Sequence, residues 1–382
     1  MPLYIITEYG YENSLWAPRL YALIRHLKEK RLSYKQIEKN TDIDCGGKSG
    51  SVIAIGTTHS WLLSTIKVCN KLNIPIIVSG CKQLSVKDVV FSSVSSVREE
   101  SLMVLKNYLS HYGKKRIALY AINQNSDADV YLAESVYSLM KFKGTDIQII
   151  YNNETSLNDC FERLLERIDS IDTVICSNDY AALQLSDLLK RYDKAALDRI
   201  FIISFNNFIL SSLHSPSINS FSEDNISVAK ALVEIYQLML KSDDFLEVHI
   251  KIRQHLNIRE STHYLLLPGY EQNPSSVISE TSLWQPQTVL NYFEDELINR
   301  YNRVEGMPER CDKLDFMIIK LLMRSCSIAE ISKDTFTSIE TVKYRLRKIM
   351  RQSYASSKKE LIELIKTHIS QDKLEAYCDS LK

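Results

Sequence analysis

The first two thirds of the chain alternate between short apolar runs and longer segments with a helical repeat. LYIIT (3–7), SVIAIG (51–56) and RIFIISF (199–205) have the length and Val/Ile content of buried strands. Amphipathic segments such as APRLYALIRHLKEK (17–30) lie between them. Continuous apolar strands separated by helices are typical of parallel sheets covered on both faces. The pattern predicts an α/β fold, and it repeats too often for one open sheet, so we expect two similar lobes.

The last third of the chain has a different pattern. A stretch rich in Pro, Ser and Asn (265–282) is followed by a helical apolar stripe over residues 287–301, which indicates packing against a core or a second copy. Residues 310–370 predict four helices, two of them with a Ser start and an acid three residues later. We therefore divide the chain into a two-lobed domain (1–268), a linker with a helix (269–306) and a small all-α domain (307–382).

Charge is balanced over the whole chain but not along it. The 382 residues carry 47 Lys+Arg and 47 Asp+Glu, yet ETVKYRLRKIMRQ (340–352) has five basic residues and a single acid. Val342, Leu346 and Ile349 are spaced four and three apart, so we expect them to face the core of the small domain. The basic residues then lie on the remaining surface. A short helix, a tight turn and a basic helix form the helix-turn-helix layout.

Several classes of protein are disfavoured by the sequence. The first 20 residues have no basic segment followed by a long apolar one, which favours a cytoplasmic protein without a membrane anchor. The eight cysteines show no CxxC pair and no clustering with His, which fits free thiols in a reducing compartment. We find no partnered nucleophile, no carboxylate pair and no metal-ligand spacing. We therefore expect no enzymatic activity, no metal and no cofactor.

Polar loops follow the predicted strands. TEYGYENSLW (7–16), GTTHSW (56–61), SNDY (177–180) and SFNNF (204–208) are rich in Asn, Ser, Thr, Asp and aromatic residues. Ligands of parallel sheets bind beyond the carboxyl ends of the strands. Such loops can hydrogen-bond hydroxyl groups and stack on a sugar ring, but offer little to neutralise a phosphate. Each residue taken alone is better explained as a helix cap or turn residue, whereas the aligned set favours a ligand cleft.

Four segments of the first domain resemble a known family. KKRIALYAINQNSDADVYLAESVYSLM (114–140), DTVICSNDYAALQLSDLLKR (172–191), the segment beginning RIFIISFNNF (199–208) and IKIRQHLNIREST (250–262) resemble, in order and spacing, the LacI/GalR-type sensor with its type I periplasmic-binding-protein fold. The resemblance implies homodimers and lobe crossings near 91–93, 223–225 and 250–253. The lobes would then be 1–91 with 225–250, and 92–224 with 251–268.

The same resemblance implies a set of effector-binding residues between the lobes. These are Tyr9, Tyr11, Thr57, Thr58, His59, Ser79, Phe91, Asp127, Asp129, Tyr131, Asn178, Asp179, Asn206 and Glu223. Two departures affect this set. Tyr131 and Leu132 occupy the region where sugar-binding members usually carry an Arg, and Asn206 and Asn207 stand where an Asp is usual. Both changes remove charge-assisted bonds to sugar hydroxyls. The effector is then a sugar or another small polar molecule, or the cleft binds none.

The C-terminal helices resemble a second family. SIAEISKDTFTSIETVKYRLRKI (327–349) is similar to the LuxR/GerE type of helix-turn-helix domain, without gaps. It departs from the family in Arg345, where many members have His, and in lacking the usual Arg/Glu pair at the start of the first helix. The resemblance implies DNA contacts by Ser338, Glu340, Thr341, Lys343, Tyr344, Arg347, Lys348, Arg351 and Lys358.

Together these patterns predict a bacterial-type transcription regulator with operator DNA and a small-molecule effector as partners. One rival is a binding protein without a regulatory role, whose C-terminal helices contact other proteins. A more distant rival is an enzyme that processes a sugar.

Overall fold

The structure is a computed structural model. It describes residues 3–9, 11, 17–37, 50–56, 59–79, 89–124, 127–140, 144–152, 156–241, 246–263, 265 and 296–380. The linker and most of the predicted helical stripe over 287–301 therefore lie outside the described residues.

The first lobe is built on a six-stranded parallel sheet. Its strands are β1 (Leu3–Thr7), β2 (Tyr34–Ile37), β3 (Ser51–Ile55), β4 (Ile76–Ser79), β5 (Ser92–Val97) and β11 (His249–Arg253). They lie in the order β11-β5-β4-β3-β1-β2. All five residues of β3 are buried, as expected for a central strand covered on both faces.

The second lobe repeats this design. Its strands are β6 (Arg116–Ile122), β7 (Asp146–Tyr151), β8 (Thr173–Cys176), β9 (Phe201–Phe205), β10 (Asn219–Ser222) and β12 (His255–Asn257). Their order is β12-β10-β9-β8-β6-β7, and only the pairing of β10 with β12 is antiparallel.

Helices cover both faces of the two sheets. In the lobes they are α1 (Ala17–Glu29), α2 (His59–Lys71), α3 (Arg98–His111), α4 (Asp127–Met140), α5 (Leu157–Leu165), α6 (Asp179–Tyr192), α7 (Lys194–Arg199), α8 (Ile209–Leu213) and α9 (Asn225–Lys241). Alternate residues of β6 enter two separate cores, Ala118 and Tyr120 on one face and Ile117 and Leu119 on the other. This confirms the predicted α/β fold with two lobes.

The chain changes lobe close to the predicted positions. Strand β10 ends at Ser222 in the second sheet, and α9 packs on α1 in the first lobe, which agrees with a crossing at 223–225. The other two changes come a few residues later than the sequence indicates. Strands β5 and β11 belong to the first sheet over their full length, up to Val97 and Arg253.

The third part of the chain is helical. Its helices are α10 (Glu296–Glu305), α11 (Met307–Arg310), α12 (Lys313–Met323), α13 (Ile328–Asp334), α14 (Ile339–Gln352), α15 (Lys358–His368) and α16 (Gln371–Ser380). The four helices predicted over 310–370 correspond to α12 to α15. Ser327 and Glu330 form the predicted capping box of α13. Val342, Leu346 and Ile349 are the buried residues of α14, as the spacing predicts.

The helical part is packed against the second lobe. Tyr301 and Val304 of α10 join a continuous apolar cluster with Tyr180 and Phe208 of that lobe. The two parts therefore share a core. No helix among the described residues has both the length and the apolar character needed to cross a membrane.

Candidate functional site

A buried arginine occupies the first-lobe side of the predicted effector cleft. Arg19, in the first turn of α1, is 2% exposed. Its guanidinium donates to Ser79 Oγ at 3.0 Å and to Asn225 Oδ1 at 3.3 Å, and it forms an ion pair with the Glu223 carboxylate. Burying this charge is tolerable because the fork of donors is paired with acceptors on three separate elements.

Ser79 and Glu223 have a structural role in this network, and their contact with a ligand stays a prediction. Both side chains are buried, at 0% and 4% exposure, and both are bonded to Arg19. They tie β4 and the crossing between the lobes to α1, and do not line an accessible wall. The sequence held one signal of this network. A cation in the first turn of a helix is unfavourable beside the helix dipole unless it is paired, and the first turn of α1 contains no acid.

The remaining first-lobe residues are divided between surface and core. Tyr9, after β1, is fully exposed, whereas Tyr11 is 3% exposed and belongs to the core of the lobe. Burial raises the pKa of the Tyr11 hydroxyl above its usual range. Phe91 is half-buried, with its ring edge-on to His249 at 5.7 Å between centroids. Thr57 and Thr58 lie outside the described residues, and so does the side chain of His59, the first residue of α2.

Asp179 is the most enclosed of the predicted residues. Its side chain is 0% exposed and accepts hydrogen bonds from the hydroxyls of Ser204, Ser211 and Ser220 and from the backbone N–H of Phe208. Burial raises the pKa of Asp179, and these four hydrogen bonds act against that increase. The carboxylate joins β9, α8 and β10, and contact of Asp179 with a ligand stays a prediction.

Two other predicted residues of the second lobe accept hydrogen bonds from backbone N–H groups, and a third is buried. Asn178 is the N-cap of α6 and accepts from Ala181 N at 3.1 Å. Asp129 is 4% exposed and accepts from Asn123 N at 2.8 Å. Asn206 is 3% exposed, and its φ of 116° is rare for a residue other than glycine.

Tyr131 is half-buried, and Asp127 begins α4 with its side chain outside the described residues. Among the described residues of the predicted set, Tyr9, Phe91, Tyr131 and Asn178 keep part of their side chains exposed. These four residues supply three aromatic rings and one amide, groups that suit a polar ligand with a flat apolar face, and their convergence on one ligand stays a prediction.

The second candidate site is a nucleic-acid interface on α14. Opposite its buried stripe, this helix presents Glu340, Tyr344, Arg347 and Arg351 to solvent; the exposed fraction of Tyr344 is 68%. Lys343 lies on the flank of this face, with its ammonium 2.9 Å from the Glu340 carboxylate. Arginine and lysine can bind phosphates or guanine edges, and a glutamate can accept from cytosine. The arrangement is that of a helix that can enter a major groove.

Lys348, one of the predicted DNA contacts, forms an ion pair within the helical domain. Its ammonium is 2.7 Å from the carboxylate of Asp315, whose side chain is 0% exposed. Arg345 binds the same carboxylate at 3.0 Å and also pairs with Asp312. A buried carboxylate requires such partners. Arg345 and Lys348 therefore connect α14 to the N-terminus of α12, and contact of Lys348 with DNA stays a prediction.

Two predicted DNA contacts, Ser338 and Thr341, have a local structural role, and a third, Lys358, is partly buried. Ser338 is the N-cap of α14 and accepts from Thr341 N at 3.1 Å, and the two hydroxyls are 2.9 Å apart. Lys358 is half-buried at the start of α15. At a helix N-terminus, Ser338 and Thr341 lie next to unpaired backbone N–H groups, which favour phosphate. Contact of these residues with DNA stays a prediction.

The sequence did not indicate how the helical part binds the second lobe. The buried carboxylate of Glu305 in α10 accepts from the backbone N–H groups of Ile209 at 2.6 Å and Leu210 at 2.7 Å. These N–H groups begin α8, where a helix has unpaired donors. The hydroxyl of Tyr301 donates to Asp187 Oδ2 at 2.6 Å.

Two histidines lie at the same junction. His214 Nε2 is 2.9 Å from Asp187 Oδ1. Burial alone would raise the pKa of Asp187, but the hydrogen bonds from His214 and Tyr301 outweigh it and hold the pKa below its usual value. His368 is 2% exposed, and its ring lies edge-on to Tyr301 at 4.7 Å. Burial lowers the pKa of His368 to about 4.

The fold and the junction define a two-lobed α/β protein with a helical domain packed against its second lobe. Comparison with known proteins supports the first part. No protein-family profile matches the sequence, and no curated protein is detectably similar to it. Solved structures do match over the two lobes. These structures include regulators of the LacI family, and the two lobes of this chain share their periplasmic-binding-protein-like fold.

Three of these structures show the extent of the likeness. A regulator of the LacI family from Rhizobium etli superposes with a TM-score of 0.57 at 12% identity, over 68% of this chain and 98% of that one. The transcriptional regulator CelR in complex with cellobiose gives 0.55 at 15% identity, over 68% and 84%. A LacI-family regulator from Arthrobacter sp. in complex with lactose gives 0.53 at 15%, over 69% and 99%. At these identities the likeness establishes the fold of the lobes.

Proposed function

We propose that this protein is a ligand-responsive transcription regulator that binds DNA through α14. One observation carries the proposal. A sensor-type α/β domain shares its core with a helical domain whose basic helix, preceded by a short helix and a turn, leaves its charged face exposed. In such an arrangement a change in the lobes can reach the DNA-binding face through the shared core.

The effector belongs in the cleft between the lobes. We infer a sugar or a similarly small polar molecule, because related folds hold cellobiose and lactose and because aromatic rings and an amide remain accessible here. Among the described residues of the cleft, the charged side chains of Arg19, Glu223 and Asp179 are engaged inside the protein. The ligand is therefore expected to be uncharged.

Coupling requires the effector to prefer one arrangement of the lobes, since a ligand with equal affinity for both shifts nothing. The junction formed by Glu305, Tyr301 and Asp187 supplies a rigid connection from α6 and α8 to α10. We infer that lobe closure alters the position of α14 relative to that of a second subunit. Two half-sites about one turn of DNA apart follow for a dimer.

The test has two arms. The first is selection of DNA from a random-sequence duplex library, followed by measurement of affinity against salt concentration. An exposed basic helix predicts a steep fall of affinity with salt. The second is thermal unfolding against a panel of mono- and disaccharides, nucleobases and amino acids. An effector at a hundredfold its Kd should stabilise the protein by about 2.7 kcal/mol. Turnover of a ligand in the panel would instead indicate an enzyme.

A further inference from the structure

The turn between α13 and α14 holds an aromatic residue in an unfavourable backbone conformation. Phe336 has a φ of 53°, in the left-handed region that glycine and asparagine favour. The conformation is fixed by neighbouring bonds. Thr337 N donates to Ser332 O at 3.1 Å, and Ser332 Oγ donates to Thr337 O at 2.6 Å. The turn would form at least as well with a glycine at this position.

The side chain of Phe336 is also exposed to an unusual degree. Its exposed fraction is 97%, so the ring contributes almost nothing to the core of the domain. An exposed Phe in a left-handed turn is unfavourable in two ways, through backbone strain and through apolar surface in water. Such strained residues concentrate at functional sites. The folded structure by itself gives no reason for a phenylalanine here.

The surroundings of this ring indicate what it contacts. Ile339, three residues further on at the start of α14, is 45% exposed, and three residues span at most about 10 Å. On the helix, Ile339 shares its flank with Lys343, four residues later, and Arg347 and Arg351 continue the cationic face. An apolar patch bordered by cations at the leading end of a basic helix is complementary to a groove that is anionic at its edges and carries methyl groups on its floor.

We propose that Phe336 and Ile339 form an apolar surface that contacts thymine methyl groups in the major groove. The proposal rests on the proposed function and deepens it by naming the bases that are read. The C5 methyl of thymine is the one apolar group that a base pair presents in the major groove, and phenylalanine is among the side chains that pack against it. The half-site should therefore contain thymine at the positions that face the turn.

Two changes test the contact, one on each side of the interface. On the protein, Phe336→Gly removes the ring and relieves the strain, and Phe336→Asn removes the ring while keeping a residue that tolerates the left-handed conformation. On the DNA, replacing thymine by uracil in the selected operator removes only the methyl group. The uracil substitution needs no protein variant, so it remains informative if a variant folds poorly.

The chain offers a matched control in Tyr354. This residue is likewise an exposed aromatic (71%) with a positive φ (51°), but it follows the C-terminal end of α14. The helix has 14 residues and is about 21 Å long, so Tyr354 lies far from the turn. Tyr354→Gly should relieve the same kind of strain without touching the apolar patch.

We expect Phe336→Gly to leave the melting temperature unchanged or higher and to lower operator affinity about tenfold, the usual effect of losing one base contact. Tyr354→Gly should change affinity by no more than about twofold, since distant sites act independently. Uracil at the contacted positions should lower the operator affinity of wild type by about fivefold. It should hardly change the affinity of the Phe336 variants, because the ring and the methyl group form one contact that either change removes.

Three outcomes decide the matter. Equal weakening of wild type and Phe336→Gly by uracil would overturn the proposal, since the methyl would then contact another residue. Unchanged affinity of both Phe336 variants would do the same and would indicate a protein partner for the patch. If wild type selects no sequence from the library, the proposed function itself fails.

Discussion

The junction between the two-lobed domain and the helical domain can be tested at a single side chain. Glu305 is 4% exposed, and its two carboxylate oxygens accept from the N–H groups of Ile209 and Leu210. Glu305→Gln keeps the shape but leaves one acceptor oxygen, so that an NH2 group faces one of the two donors. One charge-assisted hydrogen bond is worth about 1.5 to 3 kcal/mol, and a buried N–H left without a partner costs about 1 to 3 kcal/mol.

We therefore expect Glu305→Gln to weaken the docking of the helical domain by about 2 to 4 kcal/mol. Hydrogen–deuterium exchange at the amides of Ile209 and Leu210 reports this directly. If these amides exchange when the domains separate, their exchange should accelerate by between about thirtyfold and a thousandfold. The effector should also lose its influence on DNA affinity.

Glu363→Gln is the matched control, because Glu363 is exposed on α15 of the same domain. It makes the same change of charge without touching the junction, and exchange at α8 should remain at the wild-type rate. Unaltered exchange and an unaltered effector response in Glu305→Gln would refute our reasoning that this carboxylate holds the two parts together.

Three further predictions concern other parts of the molecule. Arg347→Ala should weaken DNA binding and make it less sensitive to salt. Lys194→Ala removes the same charge from the second lobe and should leave both properties unchanged. Equal effects of the two changes would mean that only the total charge of the protein matters. The unfolding free energy should fall by up to about 3 kcal/mol as the pH decreases from about 6.5 towards 4. The reason is that His368 must stay neutral when buried, so that its pKa of about 4 in the folded protein lies below the ordinary value. His368→Gln should remove this contribution in pH-dependent unfolding experiments. Asp179→Asn should lower the unfolding free energy by about 3 kcal/mol, because four donors converge on its carboxylate. If the variant unfolds at the same denaturant concentration as wild type, the charge of this carboxylate is not needed for stability.

Local patterns in the sequence predicted much of the fold. The spacing of Val342, Leu346 and Ile349 located the buried side of α14, and the Ser327 and Glu330 pair located the start of α13. Both signals act within one or two turns of helix. The alternation of apolar strands and amphipathic helices was likewise sufficient to predict two sheets of mainly parallel strands.

The partners of the buried charges could not be predicted in this way. Glu223 lies 204 residues from Arg19 in the chain, and Asp315 lies 33 residues from Lys348. A charge pattern indicates that a residue needs a partner, but the fold decides which one is within reach. The predicted cleft therefore contained several residues that the structure uses to hold its own elements together, as Asp179 does for β9, α8 and β10.

The central claim is that α14 binds DNA, and the most direct measurement is the affinity of the full chain for duplexes selected from a random library, over a range of salt concentrations. We predict that a sequence with two related half-sites is enriched, and that log affinity falls linearly with log salt. The slope should become shallower in Arg347→Ala. Failure to enrich any sequence, or an affinity that does not change with salt, would contradict the account.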